Sequence, residues 1–191
     1  MKANVARLPR IAAFGDELRD GVKGHYAHQA AAGFVGGQPG LEESVKFGIV
    51  AATQHPQLDY QKVNYSKAPW ASQPGQTINY VACHDDRTLW DKLRIANPTA
   101  SEDEVNSDGR TEQYHCIHVA GRAVFEYRRR LSAHQERRLL TRIIHPTAST
   151  RWIGGARRST PAVAAFYRRL LALRRAHPAF RLPSRNWLRS T

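Results

Sequence analysis

Thr77-Ile78-Asn79-Tyr80-Val81-Ala82-Cys83-His84-Asp85-Asp86-Arg87-Thr88-Leu89-Trp90 decides how this chain is read. A β-branched, aromatic run stops abruptly at a histidine and two acids. Such runs suit a buried, pleated strand. Polar groups at the carboxyl end of a parallel strand are how an α/β barrel presents its chemistry. Thr88 to Ile95 then has the pattern of a short helix, stopped by Asn97-Pro98.

Upstream, Ile11-Ala12-Ala13-Phe14 is a short apolar run that predicts a buried strand. It leads into Gly15-Asp16-Glu17-Leu18-Arg19-Asp20-Gly21-Val22-Lys23-Gly24, whose acids Asp16, Glu17 and Asp20 suggest a solvated turn. Gly33 to Gly40, with four glycines and a proline, reads as loop. Leu41 to Thr53 predicts a helix with Leu41, Val45 and Ile49 on one face. Gln54 to Gln76 carries Pro56, Pro69 and Pro74 and predicts a long loop. Ser101 followed by Glu102-Asp103-Glu104 is a helix start, with a capping hydroxyl and then acids. Asn106-Ser107-Asp108-Gly109 breaks it. Regularity returns at Pro161, a residue suited to a first helical position. Val163, Phe166, Leu170 and Leu173 recur at helical spacing. Arg174 falls near that stripe and has to snorkel, and His177-Pro178 ends the helix.

These segments resemble type I pullulanases, in the α-amylase superfamily of glycoside hydrolases. Thr77 to Trp90 is similar to the seventh-strand motif. Leu18-Arg19-Asp20 is similar to the sixth-strand region, Lys62-Val63-Asn64-Tyr65 with Trp70 to the loop between, and Phe166 to Arg181 to the last barrel helix. The resemblance implies an α/β chain forming an incomplete (β/α)8 TIM barrel, strands six to eight. It implies hydrolysis of α-1,6-glucosidic branches in pullulan, glycogen or starch, with retention of configuration. Asp85 then matches the carboxylate that grips sugar hydroxyls and stabilises an oxocarbenium-like transition state. His84 matches the histidine that hydrogen-bonds the sugar beside the scissile bond. Asp86 departs from the pattern, where asparagine is usual, and a second acid raises the pKa of its neighbour by like-charge repulsion. Retaining glycosidases also need a nucleophile and an acid/base about 5 Å apart. In this superfamily these come from the fourth and fifth strands, which precede the matched segment, so the chain alone is expected to be inactive. The implied partner is an α-glucan, and no cofactor is implied.

The 191 residues suffice for one domain, but a closed barrel usually takes about 250. No run of 18 apolar residues appears, so no membrane span is expected. Two cysteines make no disulfide framework. Cys83, His84, His115, Cys116 and His118 match no common zinc spacing, so no metal is expected.

The net charge of +13 is uneven. Residues 1–100 hold 11 Lys+Arg against 9 Asp+Glu, whereas residues 101–191 hold 18 against 7. After Lys92 every basic residue of the chain is arginine. Arg128-Arg129-Arg130 and Arg137-Arg138 admit a nucleic-acid-binding reading through charge alone. No stacking motif accompanies them. The genetic code offers another explanation. Read from the second base, allowed codons for Ser107 to His115 spell RMDELSNTI. Continuing towards Arg130 they spell VFTSQGVPFLNTGE. Arg142 to Ile153 in the third frame spells YNSPDSINALDW. All three strings are similar to the seventh helix, eighth strand and following segment of the pullulanases. Shifted GC-rich codons tend to spell arginine. The reading is therefore a partial catalytic barrel over 1–106, a frame-shifted segment of low order over 107–154, the last barrel helix over 155–186 and a tail over 187–191. The alternatives kept open are an arginine-rich nucleic-acid-binding module and a carbohydrate-binding remnant without catalysis.

Overall fold

The computed structural model describes residues 2–81, 89–105, 107, 122–123 and 161–181. Strands β1 (Ala13–Phe14), β2 (Thr77–Asn79) and β3 (Arg122–Ala123) form one sheet in that order. Both pairings are parallel, with Ala13 opposite Thr77 and Ile78 opposite Arg122. Parallel neighbours require long crossovers. The first crossover carries helices α1 (Asp16–Lys23) and α2 (Glu42–Ile49), and the second carries α3 (Leu89–Ala96). Helix α4 (Pro161–Ala176) follows β3. The described residues are thus an α/β arrangement, rich in helix and short in strand.

Successive strand residues face opposite sides. Ala13, Thr77 and Asn79 are buried on one side. There the Thr77 hydroxyl donates to the Ala51 carbonyl (2.7 Å) and Asn79 Nδ2 to the Gly48 carbonyl (3.1 Å). These bonds tie β2 to the end of α2. On the other side Phe14 meets Tyr80 edge-on at 5.0 Å. Ile11 lies ahead of the two-residue strand and Phe14 stays about half exposed, against the expectation of a fully buried strand over Ile11 to Phe14. The reason is that only the Ala13 face packs onto the cluster of Val5, Phe47, Ala52, Val63, Trp70 and Ala71.

Helix α1 starts with Asp16 and Glu17 and ends with Lys23, the charge order its dipole favours. Leu18 and Val22, four apart, are fully buried. They join Val45, Val81, Leu93 and Val105 in a second cluster. Helices α1 and α2 meet at Gly48, where an added Cβ would lie 2.5 Å from Leu18 Cβ. The expected helix over Leu41 to Thr53 ends early, at Ile49. Ala51 and Ala52 adopt left-handed φ values of 55° and 56°. Their carbonyls are then free to accept from Thr77 (above) and from the amides of Trp70 and Ala71.

The long loop before β2 is irregular but anchored. Gln76 is 1% exposed, and every polar atom of its side chain is engaged. Its Nε2 donates to the carbonyls of Val5 and Leu8, and its Oε1 accepts from Ser72 and Gln73. This one side chain fixes the amino-terminal segment against the loop. Helix α3 ends at Ala96, next to the Asn97-Pro98 stop. After it, the Ser101 hydroxyl and the Glu104 carboxylate cap each other's backbone amides, and residues 102–105 are helical. Ser107 is helical too, against the break expected from Asn106 on. In α4, Leu170 and Arg174 are both buried, and Arg181 donates back to the carbonyls of Arg174 and Arg175.

The helix contact can be tested by volume. Leu18→Ala is expected to destabilise the chain by about 2–5 kcal/mol through the cavity it leaves. Gly48→Ala is expected to cost about 1–3 kcal/mol by overpacking. Leu18→Ala keeps the Cβ that the added methyl meets, so the double variant should show no rescue and lose about the sum of the two. Urea midpoints at unchanged slope give the three values.

Candidate functional site

Asp16 directly follows Gly15, whose amide donates to the Ile78 carbonyl, so α1 begins at the carboxyl end of β1. Tyr80 directly follows β2. The two strand ends are joined side chain to side chain. Tyr80 Oη donates to Asp16 Oδ1 (2.9 Å), and Arg19 Nη1 donates to Tyr80 Oη (2.6 Å). Arg19 also grips Asp20 with Nε (2.5 Å) and Nη2 (3.1 Å). Tyr65 Oη donates to Oδ2 of the same carboxylate, the oxygen that Arg19 Nη2 also bonds, at 2.5 Å. Beside this group Lys2 Nζ pairs with Glu17 (2.9 Å) and Asp16 (3.2 Å), and the Ser66 hydroxyl donates to Glu17.

The solvated turn expected of Asp16, Glu17 and Asp20 is therefore corrected. Glu17 and Asp20 are 1% and 2% exposed. The strand end turns straight into a helix, and its acids point into a ring of cations and hydroxyls. Buried carboxylates survive only when paired in this way. Every one of the three acids is engaged. None is poised as a free nucleophile or a shared-proton acid.

Burial alone would push Asp20 up. The bonds from Arg19 and Tyr65, with the charges of Arg19 and Lys23, outweigh it and hold the carboxyl below the usual range. Burial and the bond to Asp20 push the Tyr65 hydroxyl well above the usual tyrosine range. For Arg19 burial again opposes the charge, but Asp20, Tyr80 and Asp16 override it and keep the guanidinium protonated.

His84 and Asp85, the residues singled out from the sequence, lie outside the described residues, as do Asp86 and Arg87. The last described residues before them are Tyr80 and Val81, 3% and 1% exposed. Cys83, His115, Cys116, His118 and both arginine clusters also lie outside. Among the described residues no group of three or more His, Cys, Asp or Glu could hold a metal ion. No helix among them is long and apolar enough to cross a membrane. The Asp16–Arg19 spacing is legible in the sequence as an i,i+3 pair. The partnership with Tyr80 and Tyr65 spans 64 and 45 residues and left no sequence signal.

A carboxyl held low in the fold contributes stability above its unfolded pKa and loses it as pH falls through the folded value. Stability should therefore decline below about pH 4. Asp20→Asn should remove that part of the decline. It should also cost about 3 kcal/mol at neutral pH, because Arg19 is left buried without its main anion. Urea denaturation across a pH series checks both.

No protein-family model matches this chain. A pullulanase from Bacillus subtilis (strain 168) is 32% identical over 183 residues, 95% of this chain and 24% of that protein. The crystal structure of type I pullulanase from Bacillus subtilis str. 168, complexed with maltose, superposes with a TM-score of 0.79 at 28% identity, covering 99% of this chain and 25% of that one. A pullulanase from Paenibacillus barengoltzii, in complex with maltohexaose and α-cyclodextrin, gives 0.76 at 28% identity, covering 99% of this chain and 28% of that one. The chain spans about a quarter of the length of these relatives. The parallel strand order, the helices between the strands and this similarity along almost the whole sequence converge: the chain matches a segment of type I pullulanase, and its fold is that of an amylase-type domain.

Proposed function

We propose that this chain supplies the sugar-gripping strand ends of a debranching glycoside hydrolase that cleaves α-1,6-glucosidic bonds in pullulan, glycogen or starch. The observation that carries the reading is the 32% identity with a pullulanase along 95% of the chain. The sheet order β1-β2-β3 supports an assignment to barrel strands six, seven and eight. The re-read codons support it too. The second-frame string VFTSQGVPFLNTGE starts at Cys116, which sets its Val-Pro on Arg122 and Ala123, the residues of β3. Residues 107–154 are on this reading a frame-shifted replacement of the seventh helix, the eighth strand and the segment after it, and 155–186 the last barrel helix.

In the complete enzyme Asp85 accepts hydrogen bonds from sugar hydroxyls and stabilises the positive charge that develops at the anomeric carbon. His84 donates to the sugar beside the scissile bond. The ring of Arg19, Asp16 and Tyr80 fixes the strand end from which both extend. The covalent nucleophile and the acid/base come from strands outside the matched segment. The substrate is a maltooligosaccharide-type glucan, the ligand class held by the solved neighbours.

Three experiments test this. The purified chain should release no reducing ends from pullulan, and turnover by it would sink the reading. Residues 1–106 exchanged into the matching segment of the Bacillus subtilis enzyme should preserve pullulan hydrolysis. Asp85→Ala in that chimera should lower kcat by about 10²–10³-fold, the scale of losing one transition-state partner. Sequencing the DNA across codons 104–156 decides the frame: a single uninterrupted translation there refutes the shifted segment.

A further inference from the structure

On the outer side of the Arg19 ring stands a group of exposed aromatic side chains with no core to fill. Tyr26 is 51% exposed and Tyr65 43%. The His25 ring stacks on Tyr26 at 5.1 Å and 18°, and meets Tyr65 edge-on at 6.0 Å. The Arg19 guanidinium lies 5.2 Å from the centre of the Tyr26 ring. We propose that Tyr26 and Tyr65, framed by His25, form a stacking subsite for glucose rings of an α-1,4-linked glucan. The proposal rests on the debranching reading for its ligand class, but concerns residues that this reading does not use.

The patch is built rather than incidental. Lys92, 2% exposed, reaches from α3 and donates to the carbonyls of His25 (3.3 Å), His28 (2.9 Å) and Gln29 (3.0 Å). One ammonium thus holds the loop 25–29 from beneath. Gly24 enters that loop at φ +88°, and a Cβ there would collide with the Ala31 carbonyl oxygen. The Ala27 amide donates to His25 Nδ1, fixing the ring that separates the two tyrosines. Tyr65 is fixed at its far end by Asp20. Rigid rings lose little entropy when a ligand covers them.

The ligand class follows from charge and shape. Lys2, Arg19 and Lys23 are set against Asp16, Glu17 and Asp20, and the Lys92 ammonium is buried against backbone carbonyls, so these cations are engaged within the fold rather than offered to a phosphate backbone. A flat, neutral, polyhydroxylated ring suits a tyrosine face, with an apolar side for the ring and a polar rim for its hydroxyls. Asp16 keeps 35% of its side chain exposed and offers an acceptor next to the patch. The patch adjoins the end of β2, since the Arg19 guanidinium that lies over Tyr26 also bonds Tyr80.

The test is calorimetric titration of the full-length chain with maltotetraose, checked by Tyr ring shifts in NMR. Tyr26→Ala and Tyr65→Ala should each weaken binding about tenfold, and Tyr65→Phe, which keeps the ring, less than about threefold. Asp85→Ala should leave this subsite in place, with the Tyr26→Ala effect intact in its background. Binding that depends on Asp85 but ignores both tyrosines overturns the subsite and leaves the debranching reading standing. Absence of maltotetraose binding also overturns the subsite, while the pullulan chimera still judges the enzyme assignment independently. A thymidine oligonucleotide bound in place of maltotetraose, and lost in Tyr26→Ala, overturns the ligand class. Far-UV circular dichroism confirms that each variant keeps its helices, and Tyr26, an exposed loop residue, is the variant least able to act through folding.

Discussion

Arg19 is the residue on which this arrangement depends. It is largely buried, it carries a charge, and it sits where two strands end. A guanidinium in that position is stable only if its donors are met by anions and hydroxyls. Asp16, Asp20 and Tyr80 meet them. In doing so they fasten the start of α1 to the residue after β2. The carboxyl ends of the two strands cannot drift apart without leaving a charge unpaired in a poorly solvated place. That cost is larger than a single apolar contact, and it acts at the face where the chemistry is proposed.

Around that polar centre the apolar packing is divided. One cluster lies under α1, α2 and α3, and the other under β1, α2 and the long loop. Both use α2, through Val45 and Phe47. Gly48 lets α1 approach closely, and the carbonyls at the end of α2 receive β2 and the loop. A short helix of eight residues thus serves as the hub of the described residues. Polar side chains at buried positions do the rest: Gln76, Asn79, Thr77 and Lys92 each bond backbone carbonyls far away in sequence. These bonds hold irregular segments that cannot pair their own backbone groups.

The same division suits the two proposed ligand roles. A barrel-type enzyme needs charged groups held still at strand ends and a separate surface that aligns a long substrate. The Arg19 ring provides the first kind of rigidity. The Lys92-braced loop provides the second, with rings exposed to solvent on a stiff support. Among the described residues, neither is built from the arginine-rich half of the chain.

Much was legible from sequence alone, and for local reasons. The strand at Thr77, the helix after Thr88, the cap at Ser101 and the helix from Pro161 to Ala176 each follow from neighbours in the chain, because periodicity, caps and prolines act within a few residues. The likeness to the pullulanases was legible as well, since the motifs that carry it are contiguous. What the sequence could not reveal were the pairings between distant residues. The acids at Asp16, Glu17 and Asp20 look like a solvated turn until Tyr80, Tyr65 and Lys2 are brought to them. The end of α2 looks like further helix until Ala51 and Ala52 turn their carbonyls to β2 and the loop. Tyr26 and Tyr65 look like ordinary loop residues until His25 sets them side by side. Local order is written in the chain. Burial, and the partners that make buried charge tolerable, exist only once the chain has closed on itself.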